Sequence, residues 1–263
     1  MPILFLIIAA FIIQYHNPSI IGADGYLHGR MATKVAEGGF LKSLPQASAS
    51  LLATRFSDKD FLYHLYLIPF TSIGSYIAGT KAGAFVATSM LFASVTAIVF
   101  LSTKSWQLSW VSLLLLFSSQ FLHDTAEARP LVFALLLTIW GIYAISVQKV
   151  RLLFAVTFLF GMMHLSAWLL PAITLLATII WWMATGKANT KLVLASVLGY
   201  AGSFLVHPNF PNNMYYTYLN GILVPWYAAK TGVLELGVEF FPLFTRDAIS
   251  VFPVVVAAGV IVP

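Results

Sequence analysis

The stretch Pro130–Val147, PLVFALLLTIWGIYAISV, is an apolar run of 18 residues without a charged side chain. A helix rises about 1.5 Å per residue, so this run approaches the roughly 20 residues that cross a hydrocarbon core about 30 Å thick. Proline suits the first turn of a helix, where its missing N–H removes no hydrogen bond. The run therefore predicts a membrane-spanning helix over 130–147.

The rest of the chain has the same apolar character. Of its 263 residues, 60% are hydrophobic and 9% are charged, against roughly 25% charged in an average soluble domain. The runs are continuous and lack the alternation of a membrane β-barrel. Together these features predict one all-α domain over 1–263, a polytopic transmembrane helical bundle whose solvent is the lipid bilayer. The predicted spans are 3–15, 82–103, 106–122, 130–147, 151–164, 166–185, 190–206 and 249–263. Because the last run stops at the final residue, we expect a C-terminally truncated fragment of a longer protein.

The charged residues are divided between two kinds of connection. Short connections contain Lys104, then Lys149 and Arg151, then Lys187 and Lys191, and no acidic residue, so the positive-inside rule places them in the cytoplasm. The acidic and histidine residues all lie in the other segments, which we therefore expect at the non-cytoplasmic face of a cell (inner) membrane. They are Asp24, Glu37, Asp58, Asp60, Asp124, Glu127, Glu235, Glu239 and Asp247, with His16, His28, His64, His123, His164 and His207.

The apolar segment 61–79 decides how the first acidic loop is placed. A full crossing there would separate the acidic residues before it from those after it. Pro69 and Gly74 instead suit a broken helix pair that stays on one face. We therefore predict an outer loop over 16–81 with juxtamembrane or re-entrant helices, and a second long outer loop over 207–248.

Composition and motifs exclude several functional classes. The net charge of +5 comes from scattered Lys and Arg side chains without a basic stripe, so no nucleic-acid partner is expected. The absence of cysteine excludes disulfides, thiolate metal sites and a cysteine nucleophile. The sequence also lacks a Gly-rich phosphate loop, an H-E-x-x-H pair and a G-x-S-x-G elbow.

Two acidic clusters are candidates for chemistry. On a helix that starts near Asp24, the Asp24 and His28 side chains share a face and could point into one cavity. The alternative is that Asp24 only caps this helix. The cluster His123–Arg129 sets four ionisable groups against the start of a span, where such groups are often functional. Its alternative is an interfacial loop in which Glu127 and Arg129 balance each other's charge.

Three further polar sites are weaker. Asp58 and Asp60 have the D-x-D spacing that can bind a metal or a sugar diphosphate, although such pairs are common in loops. His207 opens a segment rich in aromatic residues, which suits either a membrane belt or stacking on sugar rings. His164, between two short helices, is either a ligand-site residue or an interhelical polar group.

These motifs, taken in order, resemble those of the GT-C-fold membrane glycosyltransferases, a class that includes protein O-mannosyltransferases, aminoarabinose transferases and the oligosaccharyltransferase catalytic subunit. Asp24–Ala32 is similar to the family's D-x-Y-x-H-x-R-x-A loop, and Asp58–Pro69 to its later D-x-x-x-x-x-H-x-x-x-x-P form. Glu127–Pro130 resembles the E-A-R-P that opens a later span. His207–Asn213 resembles N-P-x-F-P-N-N, with histidine in place of the first asparagine. The resemblance covers most of the chain.

The resemblance implies a GT-C-like fold and transfer of a sugar from a polyprenyl-phosphate-linked donor to an acceptor at the outer face. It implies that Asp24 is the general base or orients the acceptor. It implies that Glu127 and Asp124 shape the acceptor site or hold a divalent cation. Arg129 and His64 are, by the same resemblance, candidates to bind the donor phosphate. The spacing of Asp124 and Glu127 departs from the family's variable acidic pair, so the metal is left open. Further candidate substrate-binding residues are His28, Arg30, Asp58, His164, His207 and Asn209.

Two other classes remain as alternatives. A transporter or flippase of a lipid-linked or small polar substrate would place ionisable groups near the middle of the membrane. The predicted spans are nearly free of charge, which favours a one-sided site. A membrane scaffold without catalysis would need none of the clustered acidic residues.

Overall fold

The computed structural model describes residues 2–232, apart from the side chain of Phe117. These residues form helices and no strand, which confirms the all-helical class for the described part of the chain. The α-helices are α1 Pro2–Tyr15, α2 Asp24–Gly38, α3 Phe61–Thr71, α4 Tyr76–Thr103, α5 Ser119–Ala126, α6 Leu131–Ser146, α7 Val150–Met163, α8 Leu169–Thr185, α9 Thr190–Val206, α10 Asn212–Tyr218 and α11 Val224–Thr231. Pro45–Ala47, Leu51–Ala53, Leu108–Phe117 and Leu165–Trp168 are 3-10 helices, and Leu219–Leu223 is a π-helix.

Two helical stretches are long and apolar enough to cross a membrane. They are Tyr76–Thr103, with 28 residues, and Leu165–Thr185, with 21. Together α5 and α6 make a third candidate if they count as one span, although they meet at a bend of 111°. The structure therefore supports two or three candidate spans within 2–232.

Four other helices coincide with predicted spans but are shorter than a full crossing. Helices α1, α6, α7 and α9 start and end within two residues of the predicted bounds. The 14 residues of α1 and of α7 extend only about 21 Å each. The complete multi-pass bundle therefore remains a prediction, and the predicted span 249–263 lies outside the described residues.

The prediction of one helical span over 106–122 is wrong. Leu108–Phe117 is a 3-10 helix that ends at Ser118, and α5 follows as a separate helix. The hydroxyls of Ser109 and Ser112 donate to backbone carbonyls three or four residues earlier, and such bonds compete with the regular helical ladder. The Ser118 side chain accepts a hydrogen bond from a backbone N–H of α5 and caps the new helix.

The chain nevertheless runs back along α4 through this irregular segment. Residues 105–128 lie antiparallel to α4, from its C-terminal end toward its N-terminal end. The paired contacts, in order along the segment, are Phe100–Trp106, Thr96–Ser112, Phe92–Phe121, Thr88–Thr125 and Ala84–Ala128. Helix α6 then runs parallel to α4, as shown by the hydrogen bond from the Trp140 indole to Ser94.

The apolar segment 61–79, predicted not to cross the membrane, is divided between two helices. Helix α3 ends at Thr71, and α4 begins at Tyr76 after a turn in which Gly74 has a φ of 77°. With 11 residues, α3 extends about 16 Å and is too short to cross. Pro69 lies inside α3 without ending it. That α3 stays on the outer face is still a prediction.

The segment predicted as a second long loop is largely helical where the structure describes it. Helices α10 and α11 and the π-helix between them follow one another from Asn212 to Thr231. That 207–248 forms an outer loop between spans stays a prediction, and residues 233–248 lie outside the described part. Helix α9 ends where His207 becomes extended, as expected for the residue before Pro208.

Small residues allow the helices to pack closely. A Cβ on Gly79 would lie 2.2 Å from the carbonyl oxygen of Phe70, and one on Gly199 would lie 2.6 Å from that of Phe154. Such close approaches are typical of helices that pack in lipid. Many large apolar side chains face outward, including Leu4, Ile12, Leu176, Ile180, Leu194 and Leu198.

Two contacts fix α2 against the N-terminal end of α4. A Cβ on Gly29 would lie 2.1 Å from the Thr80 hydroxyl, so the two helices nearly touch there. The buried ammonium of Lys81 donates to the backbone carbonyls of Asn17 and Ser19, in the connection between α1 and α2. These contacts place Asp24 and His28 at the end of the molecule where residues 124–129 also lie.

Candidate functional site

Asp24 and Glu127 meet at one arginine. The Nε of Arg129 lies 3.3 Å from Oδ2 of Asp24 and contacts Oε2 of Glu127. The Asp24 side chain is 55% exposed and that of Glu127 only 5%. Two carboxylates from distant parts of the sequence therefore share one cation, with one carboxylate open and the other buried.

Local backbone features produce this meeting. Glu127 follows α5 in an extended conformation, and Pro130 disfavours a helical conformation at the residue before it. Gly22 has a φ of 76°, and a Cβ there would lie 2.7 Å from the Glu127 carboxyl group. Only glycine fits that position, because an L side chain would be strained by the positive φ and would clash with the carboxylate. The loop before α2 is thus pressed against Glu127.

Asp24 does not cap α2 through its side chain. No side-chain capping bond is formed at the start of this helix, and the carboxylate turns toward Arg129 instead. The capping alternative therefore fails for the side chain, although an acidic residue in the first turn still favours the helix dipole.

Asp124 lies at the edge of this cluster. His123 Nδ1 is 3.6 Å from Asp124 Oδ1 and 3.7 Å from Glu127 Oε1, so the histidine stands between the two carboxylates. Asp124 also accepts a hydrogen bond of 2.8 Å from Gln120. Residues 2–232 hold no group of three or more His, Asp or Glu side chains arranged to bind a metal ion. The site thus does not fit the divalent cation that the resemblance allows.

A second cluster is a buried chain of three side chains. His64 Nδ1 lies 2.7 Å from Asp58 Oδ2, and His64 Nε2 lies 2.9 Å from His28 Nδ1. Each of the three residues is at most 6% exposed. Helix α2 joins the two clusters, because Asp24 and His28 lie one turn apart on the same face.

The segment after α9 holds Asp58 in place. The Asn209 side chain accepts a hydrogen bond from the Asp58 backbone N–H and donates to the carbonyl of Leu41. His207 Nε2 lies 2.9 Å from the Asp58 carbonyl oxygen. The Asp60 backbone N–H donates to Asp58 Oδ1. Asp58 and Asp60 thus form a turn and not a pair of carboxylates facing one ligand.

Burial disfavours the protonated form of three histidines, His28, His164 and His207. The pKa of His28 is lowered to about 2, mainly by burial and then by its neighbours His64, Lys59 and Arg129. Burial also lowers the pKa of His164 and of His207, although the neighbouring Asp58 partly opposes the shift at His207. These rings therefore act as neutral hydrogen-bonding groups at physiological pH.

Several expected binding residues have other partners. The Nε of Arg129 faces two carboxylates, and His64 lies between Asp58 and His28. Their predicted binding of a donor phosphate stays a prediction. The Arg30 guanidinium lies over the Tyr76 ring, 5.0 Å from its centroid, and is held by α4.

A small polar cavity of about 20 Å³, room for roughly one water molecule, lies beside the buried histidines. His164 and His207 line it, together with Ser57, Lys59, Asn213 and Tyr216. The Ser57 hydroxyl and the Asn213 side-chain carbonyl are buried without a hydrogen-bond partner among the described residues. Such groups are ready to bond a polar ligand.

An apolar groove of about 960 Å³ adjoins this cavity. The two share Tyr200, Phe204 and Thr217, and the groove is completed by apolar side chains such as Trp168 and Ile222.

Sequence reasoning identified His164 and His207 but missed Ser57, Lys59 and Asn213 as cavity residues. Their only signal was proximity to the D-x-D pair and to the N-F-P-N-N element.

Comparison of the chain with known proteins found no matching family model and no significant match among curated proteins or solved structures. The similarity to GT-C glycosyltransferases therefore rests on the ordered short motifs of the sequence alone.

Proposed function

We propose that the chain is a multi-pass membrane glycosyltransferase with a GT-C-like helical bundle. It transfers a sugar from a polyprenyl-phosphate-linked donor to an acceptor at the non-cytoplasmic face of the cell membrane. The observation that supports this proposal most is the meeting of Asp24 with Glu127 at Arg129. The resembling family places its acidic residues in these two loops, and a scaffold has no need of a half-exposed carboxylate there.

In the proposed reaction, an acceptor hydroxyl attacks the anomeric carbon of the donor sugar. The bond from that carbon to the phosphate oxygen breaks, and the polyprenyl phosphate leaves with the electron pair. Asp24 binds the acceptor hydroxyl through its exposed carboxylate, as the base or by orienting the oxygen. Buried Glu127 holds Arg129 in position, so the Asp24 carboxylate keeps one orientation.

Polar side chains at the mouth of the small cavity lie beside the apolar groove, and an amphiphilic donor would contact both. A sugar needs hydrogen-bond donors and acceptors together, and Ser57, Asn213 and Tyr216 supply both kinds. Lys59 is the cation nearest a phosphate placed at the mouth of this cavity, and it is already paired with Asp60 at 2.5 Å. The groove lined by Trp168 and Ile222 is mainly apolar, as a site for a polyprenyl chain would be.

Transfer is tested with the purified full-length protein in lipid nanodiscs. The probes are synthetic polyprenyl phosphates that carry a radiolabelled hexose, pentose or aminopentose, and the acceptors are extracted membrane lipids and peptides. We expect label to move from the donor to an acceptor. Asp24→Asn and Glu127→Gln should each slow this transfer, Asp24→Asn by roughly 10²- to 10⁴-fold, the usual contribution of a positioned acid or base.

Glu37→Gln is the matched control. Glu37 is an exposed carboxylate at the other end of the same helix, so its loss should leave the rate close to that of the wild type. Unchanged transfer in Asp24→Asn would contradict the proposed role. If intact labelled donor instead appears in the opposite leaflet of proteoliposomes, the protein is a flippase.

A further inference from the structure

We propose that Asp58, His64 and His28 form a proton relay, whose outer end, the Nε2 of His28, accepts the proton of a hydroxyl bound beside Asp24. The identity of that hydroxyl rests on the proposed function, whereas the relay itself rests on the buried hydrogen bonds. His28 is the catalytic residue of the relay, and Asp58 and His64 are positioning residues.

The relay assigns one tautomer to each ring. An ionised carboxylate only accepts hydrogen bonds, so His64 carries its proton on Nδ1 to bond Asp58 at 2.7 Å. In the proposed resting state both rings are neutral, so the Nε2 of His64 has a lone pair and His28 donates to it from Nδ1 across 2.9 Å. The Nε2 of His28 is then unprotonated and presents a lone pair.

The structure holds the carboxylate end of the relay rigidly. The two Asp58 oxygens have separate partners, since Oδ1 accepts from the Asp60 backbone N–H and Oδ2 from His64. Asn209 and His207 bind the Asp58 backbone on either side. Rotation of the carboxylate would therefore break at least one of these hydrogen bonds.

The outer end of the relay belongs to the same helix as Asp24. His28 lies one helical turn after Asp24 on the same face of α2, and its Nε2 has no hydrogen-bond partner among residues 2–232. The titratable and charged groups that face His28 are His64, Tyr63, Asp58, Lys59, Arg129, His164 and Asp24. Asp24 Oδ2 lies 3.3 Å from Arg129, and His28 Nε2 adds a second proton acceptor one turn further along the helix.

The proton transfer balances without another reactant. The acceptor hydroxyl gives its proton to His28 Nε2 as its oxygen bonds to the sugar carbon. The proton on His28 Nδ1 moves to His64 Nε2, so His28 stays neutral and His64 becomes an imidazolium beside the Asp58 carboxylate. The positive charge is thus stabilised at 2.7 Å from a carboxylate and not on His28, where burial and neighbouring cations disfavour it.

Nitrogen NMR of the histidine rings tests the relay directly. The full-length protein, labelled with ¹⁵N-histidine, is placed in lipid bilayers at pH 7.5, and His28→Gln and His64→Gln assign the signals. We expect protonated Nδ1 and unprotonated Nε2 in both rings. A wild-type spectrum with a proton on Nε2 of His28 would overturn the relay, and this result needs no variant to fold.

Asp58→Asn should reverse both tautomers. The asparagine oxygen keeps the bond from the Asp60 backbone, so its NH₂ group faces His64 and donates to Nδ1. His64 must then carry its proton on Nε2, and His28 must carry its own on Nε2. Glu37→Gln should leave both rings unchanged. Unaltered tautomers in a folded Asp58→Asn protein would contradict the relay.

The transfer assay separates this inference from the proposed function. With the labelled polyprenyl-phosphate sugars, Asp58→Asn should lower kcat by roughly 10²- to 10⁴-fold with little change in KM. Wild-type rate in that variant would overturn the relay even if transfer is confirmed. If the wild type transfers no sugar but shows the expected tautomers, the proposed function fails and the proton-accepting site stands.

Discussion

At the residue scale, the carboxylate cluster around Arg129 and the buried histidine cluster accommodate ionisable groups in apolar surroundings in different ways. Glu127 is buried, and its charge is matched by Arg129, which also reaches the exposed Asp24. His28 is buried and neutral, because desolvation opposes its protonated form. An uncompensated buried charge is costly, so both arrangements avoid one. Asp24 and His28, one from each arrangement, lie one turn apart on α2.

Gly22 is the residue on which the first cluster depends. In Gly22→Ala, the positive φ costs about 1–2 kcal/mol, and the new Cβ would also press on the Glu127 carboxyl group. Gly74→Ala is the control, since Gly74 has nearly the same φ but nothing within 4 Å of the added Cβ. We expect thermal unfolding in detergent to show a larger loss of stability for Gly22→Ala. Equal losses would mean that Glu127 does not constrain this loop.

At the element scale, the length of an apolar run was not enough to predict the structure of one segment. The run 106–122 is as hydrophobic as a span, but its serines bond to the backbone and divide it into a 3-10 helix and α5. The same segment still follows α4 over most of its length. Its side chains thereby hold α5, and with it Glu127, at the N-terminal end of α4.

Gly199 lets the backbones of α7 and α9 approach each other closely. In Gly199→Ala, the new Cβ would lie 2.6 Å from the Phe154 carbonyl oxygen, so the helices must separate. We expect a loss of roughly 1–3 kcal/mol, as for an overpacked core. In Gly202→Ala the nearest atom is 3.5 Å away, so this variant should unfold like the wild type. Similar unfolding midpoints in detergent for both variants would contradict this packing.

At the scale of the whole molecule, the contacts separate two ends. Asp24, Lys81 and residues 124–129 lie together at the N-terminal end of α4, whereas Lys104 follows its C-terminal end. Gln148 and Asn189 bond across 3.0 Å and bring two of the basic connections together. The proposed active site at one membrane face depends on this separation, which the structure gives only as two ends of the helices.

Cysteine labelling tests which membrane face each end occupies, and the chain has no native cysteine to interfere. We expect Ser48→Cys and Ile73→Cys to react with a membrane-impermeant maleimide in intact spheroplasts. Gln148→Cys and Lys187→Cys should react only after the membrane is permeabilised. Reaction of Ile73→Cys from the cytoplasmic side alone would show that α3 changes the topology and would overturn the predicted outer loop.

The sequence by itself determined the helical class, five helices to within a few residues, and the candidate roles of Asp24 and Glu127. Hydrophobic run length and charge placement depend only on neighbouring residues, so they can be predicted without a fold. Only the tertiary structure decided that Arg129 serves two carboxylates and that His64 joins Asp58 to His28. These contacts join residues far apart in the chain, and helix packing fixes which of them meet.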